Sequence, residues 1–200
     1  MKKMIRIIAG VIIVLGFSFF YAHVDKNFYL YDRNIDSNSY INTGIIYGKE
    51  GITQPFLCES NVLDGMNVKC SLVGEVKDVV IEYSFMDKDT GEIVADGRFN
   101  ASEIRNNKFN YFQIGQLTDT RGKEYVFSIY EKGSTEEAGV CFYVVGNEKD
   151  TELVVNGERE QGVLVSRAVG AQFDLETFIV VVAFAVYLIA FIRFLYKLFM

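Results

Sequence analysis

Residues 66–72 read Met66-Asn67-Val68-Lys69-Cys70-Ser71-Leu72, with apolar side chains at even positions and polar ones at odd positions. A period of two is what a strand needs when one face lies in a core and the other in water. The same rhythm returns downstream. Ile81, Tyr83 and Phe85 alternate with Glu82 and Ser84, and the turn Lys88-Asp89-Thr90-Gly91 reverses the chain into Ile93-Val94-Ala95. Phe109 and Tyr111 open a further strand, and Asp119-Thr120-Arg121-Gly122 is a second turn built from turn-forming residues. Tyr125, Phe127 and Ile129 then alternate, followed by apolar runs at Val140 to Val145, Leu153 to Val155 and Val163 to Val165. Asn156-Gly157 between two of these runs is a strong hairpin signal. About eight strands at this turn spacing predict a mainly β chain, an antiparallel β-sandwich of jelly-roll or immunoglobulin-like type. Helical periodicity is confined to the neighbourhood of Ala101 to Arg105.

Working outward, the alternation stops at both ends. Residues 24–50 are polar, with scattered Tyr, Asn, Asp and Ser and no clear period, and read as a juxtamembrane connector, in part strand. Before them a basic start (Lys2, Lys3, Arg6) precedes an uncharged apolar run from Ile7 to Ala22, close to the minimum length for a bilayer span. A cleaved signal peptide is the competing reading, but cleavage after Ala22 would place Phe20 where the peptidase needs a small residue. At the other end Asp174 is placed to cap a helix, Thr177 to Ile192 is uncharged and apolar on every face, and Arg193 and Lys197 follow. The expected layout is 1–23 N-terminal transmembrane helix, 24–50 connector, 51–172 extracytoplasmic β-sandwich and 173–200 C-terminal transmembrane helix. Ser18 and Ala22 give one small-xxx-small spacing, but Gly10 and Gly16, six apart, do not share a face, so the sequence carries only a weak signal for a tight helix–helix contact. Phe17, Phe19, Phe20 and Tyr21 suit an interfacial belt.

The charges orient this layout. Of 20 basic and 26 acidic residues, five basic ones lie in the two ends, and neither 1–22 nor 177–200 holds an acid. The middle keeps 15 basic and 26 acidic residues, a formal charge of −11. Basic flanks stay in the cytoplasm, so both termini are expected inside, with the central domain outside a two-pass cell-membrane protein. A domain this acidic repels phosphate backbones, which argues against nucleic acid as a partner.

Chemistry-bearing residues are few. The single histidine, His23, sits at the membrane boundary, which argues against a histidine-based triad or metal cluster. No phosphate loop or zinc motif occurs. Carboxylates are abundant enough to allow a two-acid glycosidase, but most fall in turns or on polar strand faces. No cofactor is expected, with one exception: Asp87, Asp89 and Glu92 cluster at one turn and can offer oxygens to Ca²⁺, although turn formation explains them equally well. Of three cysteines, Cys58 and Cys70 are placed for a disulfide outside the cytoplasm, against the reading of three small buried hydrophobes. Asn100-Ala101-Ser102 fits a glycosylation sequon. Tyr111 beside Phe112, and Phe142 beside Tyr143, put aromatics on both strand faces, as in strands buried twice or forming a contact surface.

Five short pieces carry a resemblance: Gln54-Pro55-Phe56, Leu63-Asp64-Gly65-Met66, Asp89-Thr90-Gly91-Glu92, Asn106-Asn107-Lys108-Phe109 and Gly122-Lys123-Glu124-Tyr125-Val126-Phe127. Over about residues 51–145 the chain resembles extracytoplasmic β-sandwich modules, similar to carbohydrate-binding jelly rolls, of membrane proteins linked to surface polysaccharide in low-GC Gram-positive bacteria. Lys108 departs from the asparagine of that pattern. The resemblance implies a sandwich in a surface-glycan setting and no catalytic residues. The expected function is a non-enzymatic binding or accessory protein in the lipid bilayer, docking on an integral membrane partner or a surface glycan. The alternatives are a structural or sensory subunit of a membrane complex, or a carboxylate-dependent enzyme acting on lipid-linked sugars.

Overall fold

The computed structural model describes residues 2–46, 50–146 and 152–199. Positions 47–49 of the expected connector lie outside the described residues, as do the Lys2, Lys3 and Arg6 side chains. The chain divides into two units, residues 1–26 with 171–200, and residues 27–170.

Residues 23–173 form two antiparallel sheets, as the alternation predicts, and nearly all of their strand residues belong to the larger unit. In chain order the strands are β1 (His23–Tyr29), β2 (Ile41–Ile45), β3 (Ile52–Leu57), β4 (Val62–Val73), β5 (Val80–Asp87), β6 (Ile93–Asn100) and β7 (Lys108–Thr118). They continue with β8 (Glu124–Lys132), β9 (Gly139–Val145), β10 (Leu153–Val155), β11 (Glu158–Glu160), β12 (Val163–Leu164) and β13 (Ser166–Phe173). Sheet A runs β1-β13-β4-β9-β12, with β7 also on β4 and β2 also on β9; sheet B runs β11-β10-β3-β8-β5-β6. The segment Ala101–Glu103 is a single 3₁₀ turn capped by Asn100.

Between the sheets lies one apolar core whose largest fully buried side chains include Phe85, Phe112, Phe127 and Phe142. Phe112 of β7 in sheet A meets three rings of sheet B: Tyr83 and Phe99 at 5.1 Å each, and Phe127 at 5.8 Å between centroids. All three are edge-to-face, a favoured ring geometry. Two polar side chains also cross the core. Gln54 of β3 accepts from the Leu164 amide at 3.1 Å and donates to the Pro55 carbonyl at 2.9 Å, so both ends of its amide are used. Glu131 of β8 accepts from the Val140 amide of β9 at 3.0 Å.

Residues 24–50 do more than connect. β2 pairs with β9 through Ile41↔Val144, Asn42↔Tyr143 and Ile45↔Cys141, with a register shift between. Tyr31 anchors a second small cluster with Val145, Val163 and Val165, on the face of sheet A turned away from the main core. Lys69 lies 5.5 Å from the Tyr40 ring and 5.2 Å from that of Tyr143, and Arg167 lies 4.5 Å from Phe109 and 5.8 Å from Tyr29. Such cation–ring contacts hold the segment against the sheet.

In the smaller unit, α1 (Lys2–Tyr21) packs on α2 (Leu175–Phe199). Ser18 and Ala22, the small residues of that spacing, are fully buried. Asp174 caps α2 by accepting from the Thr177 amide at 3.0 Å and pairs with Lys26 at 2.6 Å. Among the described residues α2 alone is long and apolar enough to cross a membrane; the apolar part of α1, Ile8–Tyr21, is shorter. At 1.5 Å per residue those lengths are about 37 and about 21 Å, against roughly 30 Å of hydrocarbon. The expectation of two full spans is therefore met by one helix.

Candidate functional site

Strands β5, β6 and β8 lie side by side in sheet B. Their core-facing positions (Ile81, Tyr83, Phe85, Phe127, Ile129) are buried, so the intervening residues form the outer face. There Glu82, Ser84, Tyr130, Asp96, Arg98 and Ile93 line a groove of about 490 Å³. The cross-strand neighbours are Glu82 with Arg98 and Tyr130, and Ser84 with Asp96. Lys132 at the end of β8 pairs with Glu82 at 2.7 Å. Carboxylate, guanidinium, hydroxyl and a phenol ring thus share one open, water-exposed surface. Such a set of donors and acceptors is chemically able to hydrogen-bond a polar ligand.

The backbone under this groove depends on one glycine. Gly97 of β6 stands opposite Tyr83 of β5, and a Cβ built at Gly97 would overlap the Tyr83 ring. The aromatic side chain covers the bare glycine backbone, a recurrent device on edge strands. Gly97→Ala is expected to cost about 1–3 kcal/mol, because Tyr83 must leave its place and its hydroxyl must give up the Gln113 carbonyl. Urea unfolding beside Ser84→Ala, a change on the solvent side of β5, separates this effect from a general weakening of the sheet.

A second groove, about 470 Å³, opens between Phe28, Leu30, Phe56, Val163 and Ala168, with Lys88 at its rim. Lys88 there pairs with Glu124 at 2.9 Å and Glu152 at 3.6 Å.

The residues singled out from sequence land elsewhere. Asp87, Asp89 and Glu92 do not assemble: among the described residues no group of three His, Cys, Asp or Glu side chains could hold a metal. The Asp87 carboxylate instead accepts from the amides of Asp89 and Thr90, both at 3.0 Å, which builds the turn completed by Gly91 at φ 72°. Cys58, Cys70 and Cys141 are free buried thiols, so the Cys58–Cys70 bridge is not formed. Cys58 faces the Ser60 carbonyl and Cys70 that of Val68, each at 3.4 Å, and burial pushes the Cys70 thiol up. Asn100 caps the turn that follows it: its Oδ1 accepts from the Ser102 amide at 2.8 Å and its Nδ2 donates to the Lys77 carbonyl at 3.1 Å. The sequon amide is thereby committed to structure. The His23 ring meets Phe19 edge-on at 4.8 Å and lies tilted to Phe173 at 5.6 Å between centroids. Of the paired aromatics, Phe112 and Phe142 are core, whereas Tyr143 is occupied by Lys69.

Sequence reading missed Glu131. It is 4 % exposed, and burial pushes its carboxyl up to about 8 although the Val140 and Ile46 amides pull the other way. Its Oε1 has no hydrogen-bond partner. The parity of Tyr125, Phe127 and Ile129 already pointed position 131 into the core.

Comparison with protein-family models finds no match, and no curated protein is significantly similar to the chain.

Proposed function

We propose that the protein is a membrane-anchored, non-catalytic binding protein whose sandwich sits outside the cytoplasm and takes a surface glycan in the groove of sheet B. The observation that carries this reading is the outer-face groove itself, with Tyr130, Glu82, Asp96 and Arg98 on one surface. Anchoring is supported by α2 and by the basic residues Arg193 and Lys197 at its end, and α1 is read as a second, shorter crossing with both termini inside. A hairpin of two anchors confines the groove to the membrane surface, which raises its effective concentration for ligands held there.

Glu82 and Asp96 in one groove also suit a two-acid enzyme, which needs one carboxyl kept protonated. Here the carboxyl that burial holds protonated, Glu131, points into the core, and Glu82 is paired with Lys132. That contrast favours binding over hydrolysis.

The test is a glycan array probed with the full chain in lipid nanodiscs. The expected result is saturable binding to a subset of surface polysaccharides, weakened roughly ten-fold or more in Tyr130→Ala, as for truncation of a central aromatic contact. An array silent to a folded chain, with capture of a membrane protein from the native bilayer, would replace the glycan by a protein partner.

A further inference from the structure

β6 is a terminal strand of sheet B: it pairs with β5, and among the described residues no strand pairs on its other side. It is eight residues long and contains neither proline nor lysine, two of the means by which an exposed edge is closed to other chains; its one register shift lies at the Ile93 end, outside the run Ala95 to Phe99. The opposite terminal strand, β11, is three residues of charge, Glu158-Arg159-Glu160.

The hydrogen-bond phase of β6 follows from one contact. The Ala101 amide donates to the Val79 carbonyl at 2.8 Å, next in register to Val80↔Asn100. Hydrogen-bonded pairs alternate along an antiparallel ladder, so Phe99 and Gly97 turn their amides towards β5. The amides and carbonyls of Asp96 and Arg98 therefore face the free edge, as does the Asn100 amide, which Glu103 takes up at 3.2 Å. Asp96 and Arg98 are exposed, and among the described residues neither forms an ion pair within the chain.

We propose that β6 is a homodimer interface, at which two copies of the chain pair antiparallel about a two-fold axis through Gly97. In that register Asp96 of each copy stands opposite Arg98 of the other, in two hydrogen-bonded pairs that also use the outward-facing backbone groups. On the core side Ala95 stands opposite Phe99, small against large. A two-fold contact must be self-complementary, and the order Asp-Gly-Arg meets that demand, whereas an edge carrying a single sign would repel its own copy. The dimer would join the two B sheets into one twelve-stranded sheet, with the two outer-face grooves side by side. Asp96 and Arg98 also line the groove, so the pairing is judged by oligomeric state without added ligand, a readout that does not depend on what the grooves take.

The experiment is light scattering and sedimentation of the full chain in nanodiscs or mild detergent, with thermal unfolding to show that each variant is folded. Wild type is expected to dimerise across the micromolar range. Asp96→Arg and Arg98→Asp each set like charges opposite one another twice and are expected to weaken the dimer roughly ten-fold or more. The double exchange, Asp96→Arg with Arg98→Asp, recreates the complementary order and should restore it. A monomeric wild type, single variants that dimerise as well as wild type, or a double exchange that fails to recover would each overturn the proposal. Insensitivity to both single changes would also show that any dimer is held elsewhere, as by the helices.

Discussion

Phe112→Ala is expected to remove about 3–5 kcal/mol from the stability of the sandwich, the range for deleting a fully buried phenylalanine. The side chain is wholly shielded and is the one ring of β7 that reaches across the core to Tyr83, Phe99 and Phe127. Its loss leaves three rings of sheet B without their partner in sheet A. The neighbours cannot collapse into the space without leaving their own strand positions, so a cavity adds to the lost transfer energy. For a domain of this size the unfolding midpoint should fall by roughly 10 °C. Phe112→Leu keeps most of the volume and should cost about half as much. Circular dichroism melts of the full chain decide it: an alanine variant within about 1 kcal/mol of wild type would mean that the two sheets do not share this core.

The second large effect is a pH dependence centred on Glu131. Burial raises its carboxyl to about 8 from an ordinary value of 4.5, so the folded chain keeps a proton that the unfolded chain has already released. Stability is fully present below pH 4.5, falls as pH rises towards 8, and levels off above it. Each ten-fold difference in proton affinity is worth about 1.4 kcal/mol, so the whole loss amounts to about 4–5 kcal/mol. The Val140 and Ile46 amides hydrogen-bond the carboxyl, the Cys70 and Cys141 thiols lie near enough to interact with it electrostatically, and among the described residues no cation forms an ion pair with it. Glu131→Gln keeps the shape and carries no proton to lose. It is expected to flatten the profile and to exceed wild type by a few kcal/mol at pH 9. Denaturant unfolding at four or five pH values measures both slopes, and a wild-type profile as flat as that of the glutamine variant would refute the assignment.

The strands that sequence revealed are those whose apolar residues recur at every second position. β4 and β5 alternate because one face meets the core while the other is left half-buried, whereas β8 is legible from its apolar spacing although Tyr125 to Ile129 are all buried. β9 breaks the rule, reading Val-Cys-Phe-Tyr-Val-Val without alternation, because both of its faces are covered. Phe142 enters the main core, while Tyr143 and Val145 lie under residues 30–40. Of the two readings of adjacent aromatics, a strand buried twice or a contact surface, β9 is the first, its second face being covered by the chain itself. β2 gave no signal because it is short, carries Gly44, and joins β9 through a broken register. Asp87 looked like a ligand because turns and cation sites draw on the same residues, and only the direction of its carboxylate separates them. The groove residues Glu82, Ser84 and Tyr130 have the outward parity expected of them, but nothing in their spacing shows that β5, β6 and β8 become neighbours. That adjacency is long-range information, carried by register across the sheet.

Hydrogen–deuterium exchange of the full chain in nanodiscs, with and without its best-binding surface polysaccharide, tests the glycan groove most directly. The account predicts added protection in peptides covering Glu82–Ser84, Asp96–Arg98 and Tyr130, with the second groove around Phe28–Leu30 and Gln54–Leu57 unchanged. Protection confined to that second groove, or no protection at saturating glycan, would contradict it.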